Sequence, residues 1–333
     1  IYSNYESGGQ NQVAAFVNWD DFKAADRNTN APKVILSNGA LSSNVSAMTV
    51  YNNSDSSSST LYIGTEGGQL LKVDDANSYT STTTSGVTTL SSDASWTRLT
   101  GNDFLGSISD IEFGKSDQEI FVTFHNYGVK NIFYSSDGGA NWNSKDGDLP
   151  NIPVRAILQN PLIDDEVIIG TELGVWYTKN FNSDNPSWMR ANNGMSDVRV
   201  TDLDLRLGDD YKVFAATYGL GIFSGNFAVN EPIINIKTDT NLIRVDQGQS
   251  ASIDINYKVF GGYDEETTFS LEGLPEETAV SYDPSQSLQI NSDGTVEVTL
   301  TIDDDALAKS YQIVIKATSN SQVRETGFEL QIL

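Results

Sequence analysis

The sequence predicts an all-β chain: the partial or C-terminal part of a β-propeller with 46-residue blades, followed by a smaller β-sandwich. Trp96, Trp142 and Trp188 stand 46 residues apart (142 − 96 and 188 − 142). The text around each of them repeats as short apolar β-runs, and a unit of that length cannot bury its faces alone and must stack on neighbours. The period stops at Asn230-Glu231-Pro232, which places the expected boundary between a propeller at 1–229 and a second domain at 230–333.

In chain order, residues 1–44 match only the later part of a blade. Residues 1–5 resemble a second strand, 12–17 a third and 33–36 a fourth, with no first strand before them and no initiating Met. The expectation is a C-terminal piece of a longer precursor, holding about four and a half blades where closure takes about four to eight. Val45, Ile108, Val154 and Val200 then open the inner strands, each with an apolar residue three positions on (Met48, Ile111, Ile157, Leu203). Second strands follow at 61–65, 120–124, 167–171 and 213–217, rich in β-branched and aromatic residues. Third strands are expected at 69–73, 129–134, 174–178 and 221–224, and the tryptophan marks a fourth, outer strand in three units. The last unit has none, so its edge calls for a strand from the missing N-terminal blades, upstream or on another chain. The Ser/Thr-rich stretches 54–59 and 79–92 read as solvated surface loops.

Residues 135–142 read Ser-Ser-Asp-Gly-Gly-Ala-Asn-Trp. Ser135 and Asp137 can bond turn backbone, Gly138 and Gly139 permit positive φ, and Trp142 can plug between blades. The segment resembles the S-x-D-x-G-x-T-W Asp-box, with Asn141 in place of Thr, so that Ser135, Asp137, Gly139 and Trp142 take the structural Asp-box positions. On that likeness the propeller resembles the BNR-repeat family of sialidases, sortilin-type receptors and some glycoside hydrolases. The segments 148–155 and 171–176 are similar to one subgroup, large surface proteins exported by the type IX secretion system of Gram-negative bacteria. The resemblance implies an extracellular or cell-surface location and secretion components among the partners. The Arg-Ile-Pro segment with which sialidases precede their first Asp-box does not occur in these residues.

Beyond the boundary, short strands are expected at 233–236, 251–259, 267–271, 280–282, 296–302, 311–317 and 327–332, separated by turn signals such as Ser292-Asp293-Gly294. Seven strands in about a hundred residues suggest a β-sandwich. The absence of Cys excludes the disulfide-bonded antibody form. Residues 271–275 and 309–313 resemble the Ig-like spacer modules of bacterial exoproteins.

The chain has 45 acidic against 20 basic residues, a formal charge of −25, which disfavours nucleic acid and anionic lipid as partners. No run approaches the roughly 20 apolar residues of a membrane span. A single His125 and no Cys leave no ordinary zinc or copper site. No cofactor is expected, with Ca2+ the one ion left open, because Asp74-Asp75, Asp164-Asp165, Asp209-Asp210 and Asp303-Asp304-Asp305 offer hard oxygen ligands.

The turns between second and third strands should project from one face. They carry Glu66, His125 with Tyr127, Glu172, and Tyr218, and Arg155 and Arg199 could approach the same place. Glu66 and Glu172 are the only candidates for a catalytic carboxylate pair, which a glycosidase needs about 5 to 9 Å apart, and two-blade separation argues against that spacing. Tyr127, Trp176 and Tyr218 could stack on sugar rings or on a protein loop, although Trp176 in a third strand fits core better. The reading is an exported recognition, adhesion or scaffolding protein binding a glycan or surface protein. The alternatives are a BNR-class carbohydrate-active hydrolase and a passenger whose only contacts are with the export machinery.

Overall fold

The computed structural model describes residues 2–7, 10–16, 33–52, 59–84, 87–191, 194–195, 197–206, 211–227, 232–276 and 278–333. Those residues are all-β and include no helix. The chain divides into two compact units, Ile1–Phe227 and Ala228–Leu333.

The first unit is a succession of antiparallel sheets, each built from strands consecutive in sequence. β1 (Tyr2–Ser7), β2 (Gln10–Phe16) and β3 (Lys33–Leu36) form a three-stranded sheet in that order. β4 (Val45–Asn52), β5 (Ser59–Thr65) and β6 (Leu70–Asp74) form the next, completed by β9 (Ser95–Arg98). β10 (Ile108–Phe113), β11 (Ile120–Phe124), β12 (Ile132–Ser135) and β13 (Asn143–Ser144) make a third sheet. β14 (Val154–Gln159), β15 (Val167–Thr171), β16 (Gly174–Thr178) and β17 (Met189–Arg190) make a fourth. β18 (Val200–Arg206), β19 (Lys212–Thr217) and β20 (Gly221–Asn226) make the last, three-stranded one. Trp96 lies within its outer strand, whereas Trp142 and Trp188 immediately precede theirs.

Two local devices recur with the repeat. Every first strand is bulged one residue after its start, between Val45 and Ala47, Ile108 and Asp110, Val154 and Ala156, and Val200 and Asp202. A bulge re-aims one side chain out of the pleat. Ser46 and Ser109 use that freedom to donate their hydroxyls to the carbonyls of Ile108 and Val154, at 2.7 Å each, which ties one sheet's first strand to the next. Two of the second strands carry glycine where the following sheet passes close: a Cβ at Gly64 would stand 2.5 Å from Ile108 Cγ2, and one at Gly170 2.7 Å from Val200 Cγ1.

The 79–92 stretch corrects the loop expectation. β7 (Tyr79–Thr84) and β8 (Val87–Ser92) form an antiparallel hairpin, with Tyr79 opposite Ser92. Threonine is β-branched and suits a pleated strand, Tyr79 and Leu90 pack against the apolar cluster around Leu61 and Ile63, and Thr80 donates to Asp93. Residues 54–58 of the other Ser/Thr stretch lie outside the described residues.

The second unit has two sheets sharing one core. β21 (Ile233–Thr238), β23 (Ser250–Phe260), β27 (Gly294–Thr301) and β25 (Ala279–Asp283) form one. β22 (Leu242–Val245), β29 (Val323–Ile332), β28 (Ser310–Thr318), β24 (Glu265–Glu272) and β26 (Ser287–Ile290) form the other. Ile234, Ile255, Val296 and Val298 from the first meet Phe269, Ile315, Phe328 and Leu330 from the second. β22 and β26 were not among the seven expected strands. Both are four residues long, and β22 pairs parallel with β29, so no hairpin turn announces it.

Candidate functional site

The residue after each second strand makes the same backbone bond. Glu66, His125, Glu172 and Tyr218 donate their N–H groups to the carbonyls of Asn44, Ser107, Pro153 and Arg199, which precede the first strand of the same sheet, at 2.9, 3.3, 3.3 and 2.9 Å. These bonds bring the second-to-third-strand turns and the first-strand starts to one end of the sheets. Four chemically different side chains thereby occupy equivalent places.

At this end, between the fourth and the last sheet, stands an Arg–Glu–Arg bridge. Arg155 occupies the bulge position that Ser46 and Ser109 hold in preceding sheets, and turns to Glu172: its Nε donates to Oε1 at 2.7 Å and its Nη2 lies 2.6 Å from the same oxygen. Arg199 takes the other oxygen, Nε to Oε2 at 2.6 Å. The Glu172 side chain is 14% exposed. Burial pushes its carboxyl up, but the hydrogen bonds and charges of Arg199 and Arg155 outweigh that and hold it below the usual carboxylate range. Arg199 also lies over the Tyr218 ring, 5.4 Å from its centroid.

The remaining expected residues sort around this bridge. His125 is half-buried and its Nδ1 is buried without a hydrogen-bond partner. Burial and then the Arg155 charge lower its pKa, with Glu172 and Glu66 opposing, so its imidazole is neutral at physiological pH. Glu66 is exposed and accepts from Asn44 Nδ2 at 2.9 Å. Tyr127 and Tyr218 stand out at 66% and 73% exposure. Trp176 is buried in the cluster with Ile157, Ile169 and Trp188, covered by Arg190 at 5.2 Å.

Sequence reasoning missed the apolar part of this end. Leu105, in the loop leading into β10, Leu173 in the β15–β16 turn and Leu220 in the β19–β20 turn are all exposed. Two of them carried a signal in the sequence, since Leu173 stands 46 residues after Tyr127 and Leu220 one position past the next repeat, each beside a glycine, whereas Leu105 has no counterpart at that phase. Leu173 follows Glu172 in the chain, and Tyr218 lies against Arg199 of the bridge.

Asp110 and Glu112 on β10 and Asp202 and Asp204 on β18 form an acidic group between first strands. Asp110 accepts from Ile157 N at 3.0 Å and Ile111 N at 2.9 Å. It keeps some accessible surface, yet enclosure outweighs both N–H bonds and pushes its carboxyl up to about 7. Burial, followed by the charge of Asp110, pushes Glu112 up to about 8.

The Asp-box segment is a closed turn. Ser135 Oγ donates to Asp137 at 2.8 Å and accepts from Gly139 N at 2.8 Å, while Asn141 donates N and Nδ2 to the two Asp137 oxygens at 2.8 and 2.7 Å. Gly138 and Gly139 adopt φ of 70° and 90°. The hydrogen bonds from Asn141 lower the Asp137 pKa, and both its oxygens face the turn.

Among the described residues no group of three or more His, Asp or Glu side chains is placed to hold a metal ion. Asp74 pairs with Lys72 at 3.1 Å and Asp164 with Lys115 at 2.7 Å, while Asp165 accepts from Asn182 N and Asp303 from Asp305 N. Asp209-Asp210 lies outside the described residues. No described helix is long and apolar enough to cross a membrane.

No protein-family model matches the chain. A search of curated proteins finds no match either. Among solved structures, domains 4 and 5 of the surface-layer protein SbsC align at 17% identity and a TM-score of 0.24, over 37% of this chain and 66% of that one. A family 123 glycoside hydrolase from Clostridium perfringens aligns at 11% identity and 0.26, over 30% and 27%. SbsC domains 1–6 align at 11% identity and 0.24, over 86% and 49%. The chain thus spans less than two thirds of each, and TM-scores this low define no shared fold.

Proposed function

We propose that the first unit is part of a BNR-class β-propeller and the second an Ig-like β-sandwich, in an exported surface protein that recognises a glycan or a protein surface and does not turn it over. The observation that carries this reading is the Arg155–Glu172–Arg199 bridge with exposed Tyr218 against Arg199, at the end of the sheets whose loops also expose Tyr127, Leu105, Leu173 and Leu220. Aromatic faces stack on sugar rings or apolar side chains, and a prepositioned guanidinium pair supplies directional donors. The 46-residue recurrence of bulge, interstrand bond and tryptophan contact supports the propeller reading. The two sheets around one core support the sandwich. Export by the type IX system rests on the sequence resemblance.

The bridge weighs against hydrolysis. A general acid must hold its proton near neutral pH, whereas Glu172 is kept ionised by two guanidiniums and Glu66 is exposed and held by Asn44. The test is a glycan array probed with the 333-residue chain, followed by hydrolysis assays on any glycan retained. Retention without released product, weakened by Tyr127→Ala and Tyr218→Ala, is expected. Product release that Glu172→Gln abolishes would replace recognition with catalysis.

A further inference from the structure

Three sheets close on one repeated backbone contact, and at two of them a second contact follows. In each, the residue three positions after the tryptophan donates its N–H to the third strand: Leu99 to Leu70, Lys145 to Ile132 and Ala191 to Val175, all at 2.9 Å. The carbonyl of that residue then accepts the indole of the next sheet's tryptophan, Trp142 Nε1 to Leu99 at 2.8 Å and Trp188 Nε1 to Lys145 at 3.0 Å. Ala191 is the third member of the series, and among the described residues no indole reaches it. There the structure has a cavity of about 130 Å³ lined by Ala191.

The cavity wall repeats the surroundings of Trp188. That ring is packed in one cluster with Phe121, Ile132, Ile157, Val167, Ile169 and Trp176. Forty-six residues after Ile157, Val167 and Ile169 come Leu203, Val213 and Ala215, and all three line the cavity. The ladder gives the other three. Ile132 lies opposite Thr123 as Val175 lies opposite Gly170, Trp176 opposite Ile169 as Phe223 opposite Ala215, and Phe121 opposite Tyr134 as Ile168 opposite Tyr177. Val175, Phe223 and Ile168 also line it. The cavity is therefore the tryptophan socket of the last sheet without its tryptophan.

Among the described residues the strand that would carry such a residue is absent as well. β20 pairs, among the described residues, with β19 alone and ends its sheet. Ile222 and Ser224 are the ladder counterparts of Val175 and Tyr177, which face the outer strand β17, and both are exposed, Ile222 at 72%. An open edge beside an apolar socket is a template for strand addition. We propose that the β20 edge and this cavity form a docking site for an extended strand of a partner polypeptide bearing a tryptophan. Its indole fills the cavity and donates to the Ala191 carbonyl, and the residue three positions on donates to the Ile222 carbonyl. This inference is independent of the ligand-binding reading, because the socket lies between sheets and shares no residue with the Arg–Glu–Arg bridge.

The test titrates the full chain with a synthetic peptide of the sequence 184–191, which carries Trp188, and with its Trp→Ala version, read by calorimetry. Saturable binding that is at least about tenfold weaker for the Ala peptide is expected, as befits burial of an indole. Ser224→Pro removes an outward N–H from an exposed edge position and should abolish binding, with circular dichroism unchanged. Ala215→Phe, which fills the socket from within, should weaken it by at least about tenfold; if that variant does not fold, Ser224→Pro decides alone. No binding at millimolar peptide, equal binding of both peptides, or binding indifferent to Ser224→Pro overturns the proposal. Self-association of the chain that the peptide does not displace would assign the edge to a second copy and overturn the partner strand.

Discussion

Replacing Trp188 separates the indole's two contributions to the first unit. Trp188 is 5% exposed and packs on Phe181 with ring centroids 6.5 Å apart. Trp188→Phe keeps an aromatic ring but leaves the buried Lys145 residue's carbonyl without its indole donor, a loss of about 1–3 kcal/mol. Trp188→Ala removes the ring as well and should cost about 3–5 kcal/mol. Trp142 makes the equivalent bond to Leu99 from a half-buried position, so water can replace part of it and Trp142→Phe should cost about 1 kcal/mol or less. The assay is urea unfolding of each variant followed by far-UV circular dichroism, with the two units' transitions resolved. The order wild type, Trp142→Phe, Trp188→Phe, Trp188→Ala is expected in falling midpoint. If Trp188→Phe unfolds at the wild-type midpoint, the indole-to-carbonyl contact does not tie the sheets together and the reasoning from the repeat fails.

Three further outcomes follow from the same geometry. Glu172 has a depressed pKa, so its contribution is present above the unfolded carboxylate value of about 4.3 and is lost as pH falls through its lower folded value; Glu172→Gln should cost about 1–2 kcal/mol at pH 7, discounted because Arg199 is 44% exposed, and progressively less as pH falls below about 4. Asp110 is raised to about 7, so the folded state binds the extra proton and stability falls as pH rises from about 4 to 7; Asp110→Asn should flatten that slope in unfolding midpoints measured across the window, and a variant as pH-dependent as wild type would contradict it. Ser135 is buried and its hydroxyl joins Asp137 and Gly139, so Ser135→Ala should lower stability by about 1–3 kcal/mol in urea unfolding.

The period of the first unit could be read from the sequence because one indole and one β-run recur at a fixed interval, and the contacts recur with it: Trp142 to Leu99 and Trp188 to Lys145 each span 43 residues, and the second contact lies 46 residues beyond the first. What could not be read was partnership across sheets. Arg155 and Arg199 are expected to approach one place, but the turn of Arg155 to Glu172 depends on a bulge, and a bulge leaves no mark in a hydrophobic pattern. The raised carboxyls of Asp110 and Glu112 come from enclosure by strands far away in sequence. The hairpin at 79–92 was lost to composition, since serine and threonine suit both a solvated loop and an exposed ladder.

The measurement that bears most directly on the account is a glycan array with the wild-type chain and its Tyr127→Ala and Tyr218→Ala variants, paired with product analysis on the retained glycans. The account predicts retention that falls at least about tenfold in each variant, with no product released at any pH from 5 to 8. Turnover, or retention that neither tyrosine affects, would contradict it.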